Sequence, residues 1–164
     1  MPSRSELDRK FIAAVERLGR ALRAARQDVA TELHISLLQL QVVEHLSELG
    51  ARRVGVLSDE LDITQPTVSD TLATLEGKGI VQRAPDPGDR RASVVSLSET
   101  GTALARQVRE QLAPILEHER SVSEPDQATA LHVVLSEILR LQQAGVITVN
   151  RSCLSCDHFQ PPTS

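Results

Sequence analysis

Residues 54–97 read VGVLSDELDITQPTVSDTLATLEGKGIVQRAPDPGDRRASVVSL, and the order of signals within them decides the fold. A short helix pattern on Val56, Leu57 and Leu61 stops near Ile63. Thr64 then offers a side-chain oxygen to cap a second helix. Gln65 and Pro66 fall in that helix's first turn, where a missing proline N–H costs no hydrogen bond. Val68, Leu72 and Leu75 recur at spacings of four and three, which buries one face and turns Thr67, Ser69, Asp70 and Thr74 outward. Gly77 and Gly79 end the helix. An extended run from Ile80 to Ala84, a turn-rich tip from Pro85 to Asp89 and a return from Ser93 to Leu97 make a hairpin. Arg90 and Arg91 sit just past the tip. A polar helix beside a cationic ribbon reads as a winged helix-turn-helix, a shape that can straddle a duplex groove and its flanking phosphates.

The whole chain bounds that reading. Its 164 residues suit one domain, or one domain with a dimerisation extension. Aromatic residues make up only 1 % of the sequence, so the core must be built from Leu, Val, Ile and Ala, which favours helices. Single-stranded nucleic acid is a poor partner for such a chain, because stacking on bases needs rings. The formal net charge of −4 counts against a DNA partner only at first sight, since binding answers to the local field. Arg52, Arg53, Lys78, Arg83, Arg90 and Arg91 gather around the reading head, and much of the acid lies elsewhere. No apolar run reaches the ~18 residues a membrane helix needs. With no signal-peptide pattern and only two cysteines, the expected compartment is the cytoplasm.

Long helices flank the head. Leu7, Phe11, Val15, Leu18, Leu22, Ala25 and Val29 form a heptad seam that predicts either a core-facing helix or a subunit interface. A second helix runs from Ile35 to Leu49, with Leu37, Leu38, Val42, Leu46 and Leu49 toward the interior. After the wing, Ser98 can cap a long helix to about Arg120 with Leu104, Val108, Leu112, Ile115 and Leu116 inward, kinked at Pro114. Ser123 starts a last helix ending near Gly145, with Leu131, Val134, Leu135, Ile138 and Leu139 inward. The expected fold is therefore mainly α with a small β-wing, a winged helix-turn-helix with long N- and C-terminal dimerisation helices. Its segments are 1–34, 35–97, 98–145 and a tail at 146–164. A two-fold dimer presents recognition helices about one DNA turn apart, roughly 34–36 Å, and selects an inverted repeat in double-stranded DNA.

Residues ~35 to ~145 resemble the MarR family of bacterial transcriptional regulators. LSDELDITQPTVSDTLATLEGKGIVQR followed by DPGDRRASVVSLSETG carries the resemblance. It implies a homodimer, usually a repressor, with a recognition helix in the major groove and a wing arginine in the adjacent minor groove. By position, Gln65, Thr67, Ser69 and Asp70 lie on the recognition helix, and Arg53 and Lys78 join the expected DNA-facing set. Arg90 and Arg91 supply the wing contact and the salt bridge that braces it, with Asp86 or Asp89 as the acidic partner. Asp70 stands where many members have a basic or neutral residue. It can accept from a cytosine amino group or brace a neighbour, and bracing is the preferred reading. Many family members release DNA when a small aromatic anion binds between head and arms; His34, His45 and Arg52 are the residues here that could line such a crevice for a small-molecule effector.

The tail holds Cys153 and Cys156 as a C-x-x-C with His158 two residues later. Two thiolates at this spacing can clasp one metal ion. Zinc would then need a further ligand, and an iron–sulfur cluster would need four, drawn from both subunits of a dimer. A thiol–disulfide switch and a pair of idle thiols are the other readings. Two rival classes are a winged-helix protein-interaction module without DNA binding and a thiol oxidoreductase. No Ser–His–Asp order, phosphate-binding glycine loop or paired carboxylate site emerges, so an enzyme is not expected.

Overall fold

The computed structural model describes residues 3–117 and 122–146; the side chains of residues 90, 91, 116 and 117 lie outside that description. Helix α1 (Arg4–Glu32) begins at Ser3, whose hydroxyl accepts from the Glu6 amide. Helix α2 (Leu37–Leu49) opens with a capping box: Ser36 and Gln39 each accept the other's backbone N–H. The spacing predicts a helix from Ile35 to Leu49, and the helix starts two residues later because the Ser-x-x-Gln capping box, worth about 1 kcal/mol, sets its beginning. Strand β1 (Arg52–Arg53), helix α3 (Val54–Leu61), helix α4 (Gln65–Gly77), strands β2 (Val81–Asp86) and β3 (Asp89–Leu97), and helices α5 (Glu99–Glu117) and α6 (Glu124–Gln143) follow. The strands form one antiparallel sheet in the order β1-β3-β2.

The core lies where α2, α3, α4, the sheet and α5 meet. Leu40, Val42, Val43, Leu57, Val68, Leu72, Leu75 and Val95 are fully buried, and α5 adds Ala105, Val108 and Leu112. Fully burying one such aliphatic side chain contributes about 1.5–3 kcal/mol, so this cluster holds the head together without an aromatic ring. The seam on α1 divides in two. Val29 packs into the core and Leu22 and Ala25 are half-buried, whereas Leu7 and Leu18 are 58 % and 57 % exposed.

Several local expectations need correction. Thr64 does precede α4, but it makes no side-chain cap; its hydroxyl pairs with that of Thr67 at 2.8 Å. The hairpin strands run further than expected, so the turn shrinks to Pro87 and Gly88. Leu49, Ile115 and Leu131 were read as inward and are exposed, while Leu40, Val43 and Ala105 take core places that spacing did not single out.

The head is fastened to α5 at one tight joint. The Ser98 hydroxyl lies 2.6 Å from the Gly79 carbonyl oxygen and accepts the Gly101 amide at 3.0 Å. A β-carbon on Gly101 would come within 2.0 Å of the Ile80 carbonyl oxygen. The Ser-x-x-Gly start of α5 is thus a packing requirement: only a residue without Cβ lets the helix approach the first residues of the wing.

Candidate nucleic-acid interface

Burial of Val68, Leu72 and Leu75 fixes the rotation of α4. That rotation leaves Gln65, Thr67, Asp70 and Thr74 exposed and Ser69 half-buried. Gln65 stands at the first helical position, with Pro66 beside it and no acidic residue in the first turn. A helix N-terminus carries a partial positive charge, so this end of α4 suits an approaching phosphate backbone. Thr71 and Thr74 turn their hydroxyls back onto the carbonyls of Thr67 and Asp70, at 2.8 and 3.0 Å. Their donors are therefore engaged within the helix, whereas the Asp70 carboxylate makes no hydrogen bond among the described residues. The bracing role preferred for Asp70 finds no partner there.

The wing departs from a plain hairpin. Register runs evenly from Val81↔Leu97 to Pro85↔Ser93 and then jumps to Asp86↔Asp89. Arg90, Arg91 and Ala92 therefore fall in a bulge, the device by which sheets redirect residues next to functional surfaces. Sequence periodicity placed both arginines beside the tip but carried no signal for the bulge.

The side chains of Arg90 and Arg91, expected to pair with Asp86 or Asp89, lie outside the description, and Asp86 has a further partner. Asp86 accepts from Arg53 Nε at 2.5 Å and from the Gly88 amide at 2.7 Å. Arg53 comes from β1, on the other side of β3, so this pair spans the sheet and ties the wing to the strand before α3. The hydrogen bond from Arg53 holds the Asp86 carboxyl below its ordinary range, helped by the Gly88 amide; the same hydrogen bond raises the Arg53 pKa. Asp89 opens β3 opposite Asp86. Arg53, expected to face DNA, is thus engaged with the wing. A second brace joins wing to recognition helix, Arg83 Nε to Glu76 at 3.1 Å.

Lys78, exposed at the other end of α4, is also engaged within the fold. It caps α4, and its ammonium donates to the His34 carbonyl at 3.1 Å and to Gln39 Oε1 at 3.3 Å.

Of the three residues expected to line an effector crevice, His45 and Arg52 meet at one carboxylate, whereas His34 stands in the turn between α1 and α2. The Glu60 carboxylate, 3 % exposed, holds both His45 Nε2 and, at 3.3 Å, Arg52 Nε. That cluster joins α2, β1 and α3. A separate open crevice of about 480 Å³ lies between α1 and α2, lined by Arg23, Arg26, Glu44, His45 and Glu48 among others. Of the three residues, His45 alone lines it. Cys153, Cys156 and His158 lie outside the described residues.

The comparisons with known proteins agree with this geometry. The MarR family profile matches residues 35–93. An uncharacterized HTH-type transcriptional regulator, Mb0904 of Mycobacterium bovis, is 33 % identical over 117 residues, covering 66 % of this chain and 79 % of its own. The HTH-type transcriptional repressor NicR of Pseudomonas putida is 30 % identical over 123 residues, covering 66 % and 78 %. The chain belongs to the MarR family. Membership makes it a DNA-binding transcriptional regulator and not an enzyme. Apo MarR from E. coli superposes with a TM-score of 0.61 at 21 % identity, covering 77 % of this chain and 94 % of that one. A mutant E. coli MarR complexed with operator DNA gives 0.62 at 19 % identity, covering 84 % and 99 %. Transcriptional regulator PA4135 gives 0.64 at 20 % identity, covering 86 % and 98 %. These likenesses fix the winged-helix fold. Among the described residues, no helix is long and apolar enough to cross a membrane.

Proposed function

We propose that the protein is a repressor that binds an inverted-repeat operator as a homodimer. The observation that carries this reading is the rotation of α4: three fully buried aliphatic side chains leave Gln65, Thr67 and Asp70 exposed beside a bulged arginine pair. Gln65, Thr67 and Ser69 read base edges, Asp70 stands among them as a candidate acceptor, and Arg90 and Arg91 reach the flanking phosphates and minor groove. Arg53 supports the wing through Asp86. The operator complex of a MarR relative of the same fold and the repressor role of NicR support the choice of partner and of sign.

The second subunit is read from what the arms leave uncovered. Leu18 of α1 and Val122, Leu131 and Val134 at α6 line an apolar groove of about 640 Å³. A contiguous apolar surface of this kind marks an interaction site. Two copies crossing their arms there would cover it and set the two recognition helices against successive turns of the duplex. The α1–α2 crevice has the size of a small-ligand site and is our candidate for an effector.

Enrichment of random duplexes on the purified protein tests the reading. The expected product is a two-fold-symmetric sequence with half-site centres about 10 base pairs apart. An asymmetric enriched sequence refutes the two-fold dimer on its operator, and an unenriched pool refutes sequence-specific operator binding.

A further inference from the structure

Helix α1 ends in a corner that a side chain from α4 closes. Leu33 caps the helix, and the amides of His34 and Ile35 return to the carbonyls of Thr31 and Ala30 at 3.2 and 3.0 Å. That pair of bonds is the helix stop usually built on glycine. Here the left-handed position is held by His34, with φ 55°. Such a backbone is disfavoured for a residue with a β-carbon and persists where the surroundings over-determine it. Lys78 supplies part of that constraint, because its ammonium takes the His34 carbonyl at 3.1 Å. It also takes Gln39 Oε1 at 3.3 Å, the same oxygen that accepts the Ser36 amide in the capping box of α2. Gln39 is 8 % exposed, one of the few buried polar residues.

One cation at the end of the recognition helix therefore holds the end of the arm helix and the start of the next. Its place at the C-cap suits a positive charge, since that end of α4 carries the negative pole of the helix. Base-reading residues sit toward the other end, roughly 12–20 Å away along a 13-residue helix. We propose that Lys78 is a positioning residue and not a phosphate contact. It fixes the angle between arm and recognition helix and so sets the half-site spacing that the dimer accepts. This rests on the dimeric, inverted-repeat reading above.

The test compares Lys78→Gln, Lys78→Arg and Arg90→Ala across a salt series. Each is titrated with the selected repeat, the same repeat with one central base pair added, and a single half-site. Lys78→Gln should bind the intact repeat roughly tenfold more weakly. Its dependence on salt should match the unaltered protein, its half-site affinity should hold, and its penalty for the added base pair should shrink. Lys78→Arg should restore the spacing preference. Arg90→Ala should instead lose about 0.9 from the salt slope. The same slope loss in Lys78→Gln, with half-site binding weakened equally, overturns the proposal. Should Lys78→Gln fail to fold, Lys78→Met decides, because it keeps the aliphatic stem and removes only the ammonium: wider spacer tolerance at an unchanged salt slope supports the proposal, and a slope loss with an unchanged spacer penalty overturns it. If the unaltered protein binds no inverted repeat, the dimeric reading falls first; binding accompanied by slope loss removes this proposal alone.

Discussion

In the head, Val68, Leu72 and Leu75 of α4 are fully buried, and Asp70 and Thr74 between them are exposed. In the arms, Leu7, Leu18 and Leu131 are 58 %, 57 % and 49 % exposed, although they sit on helices just as periodic. Both regions use the same aliphatic residues. The head closes around them because four helices and a sheet converge from several directions. The arms are single long helices: α6 contributes only Leu135 to the buried set and lies outside the main cluster. An amphipathic helix whose apolar side is uncovered among the described residues is an incomplete core, and in the proposed dimer a second copy completes it. In the proposed dimer the head carries the chemistry of recognition, and the arms carry its geometry.

The largest effect should come from blocking the arms while sparing the head. Leu18→Glu with Leu131→Glu should give a folded monomer by sedimentation and circular dichroism. Affinity for the full repeat should fall by about 10²- to 10⁴-fold, the contribution of bivalency. A dimer that survives both changes would break the comparison. Next in size is Leu72→Ala, which opens the closed core and should cost about 2–5 kcal/mol in chemical denaturation. Gly101→Ala belongs in the same class, since its added carbon meets the Ile80 carbonyl.

Changes on the outward face should leave the fold intact. Thr67→Ala or Ser69→Ala should alter sequence preference by about 1–3 kcal/mol per base pair read, measured by competition between variant sites. Arg91→Ala should weaken binding to all sequences alike and lower the salt slope by about one. The smallest effect belongs to the Arg53–Asp86 latch, whose arginine is exposed. The folded Asp86 carboxyl titrates below its unfolded value, so its stabilisation is present above the ordinary carboxylate range and is lost as pH falls through the lowered folded value. The melting difference between the unaltered protein and Asp86→Asn should be small at neutral pH and narrow further below about pH 4. A difference that grows on acidification would contradict the latch.

How much of this was legible depends on the distance along the chain between interacting residues. The recognition helix, its buried face and the hairpin were readable because each is a local pattern, complete within a few turns or a few strand residues. Arg53 and Asp86 are 33 residues apart, and Lys78 lies 44 and 39 residues from its two acceptors. Spacing rules say nothing about such pairs, so both cations were assigned to DNA from charge and position. The bulge at Arg90–Ala92 was hidden for a related reason, since it exists only as a mismatch between two strands once they are paired.

The sequence by itself determined the family, the winged-helix order of elements, the polar face of α4 and the placing of two arginines at the wing, because all of these follow from periodicity, glycine and proline punctuation and a local motif. Only the tertiary structure decided which cations are already engaged, where the arm helix stops feeding its own core, and why Gly101 must lack a side chain. Those outcomes depend on which distant surfaces meet in three dimensions, and contact between distant surfaces leaves no period in the chain.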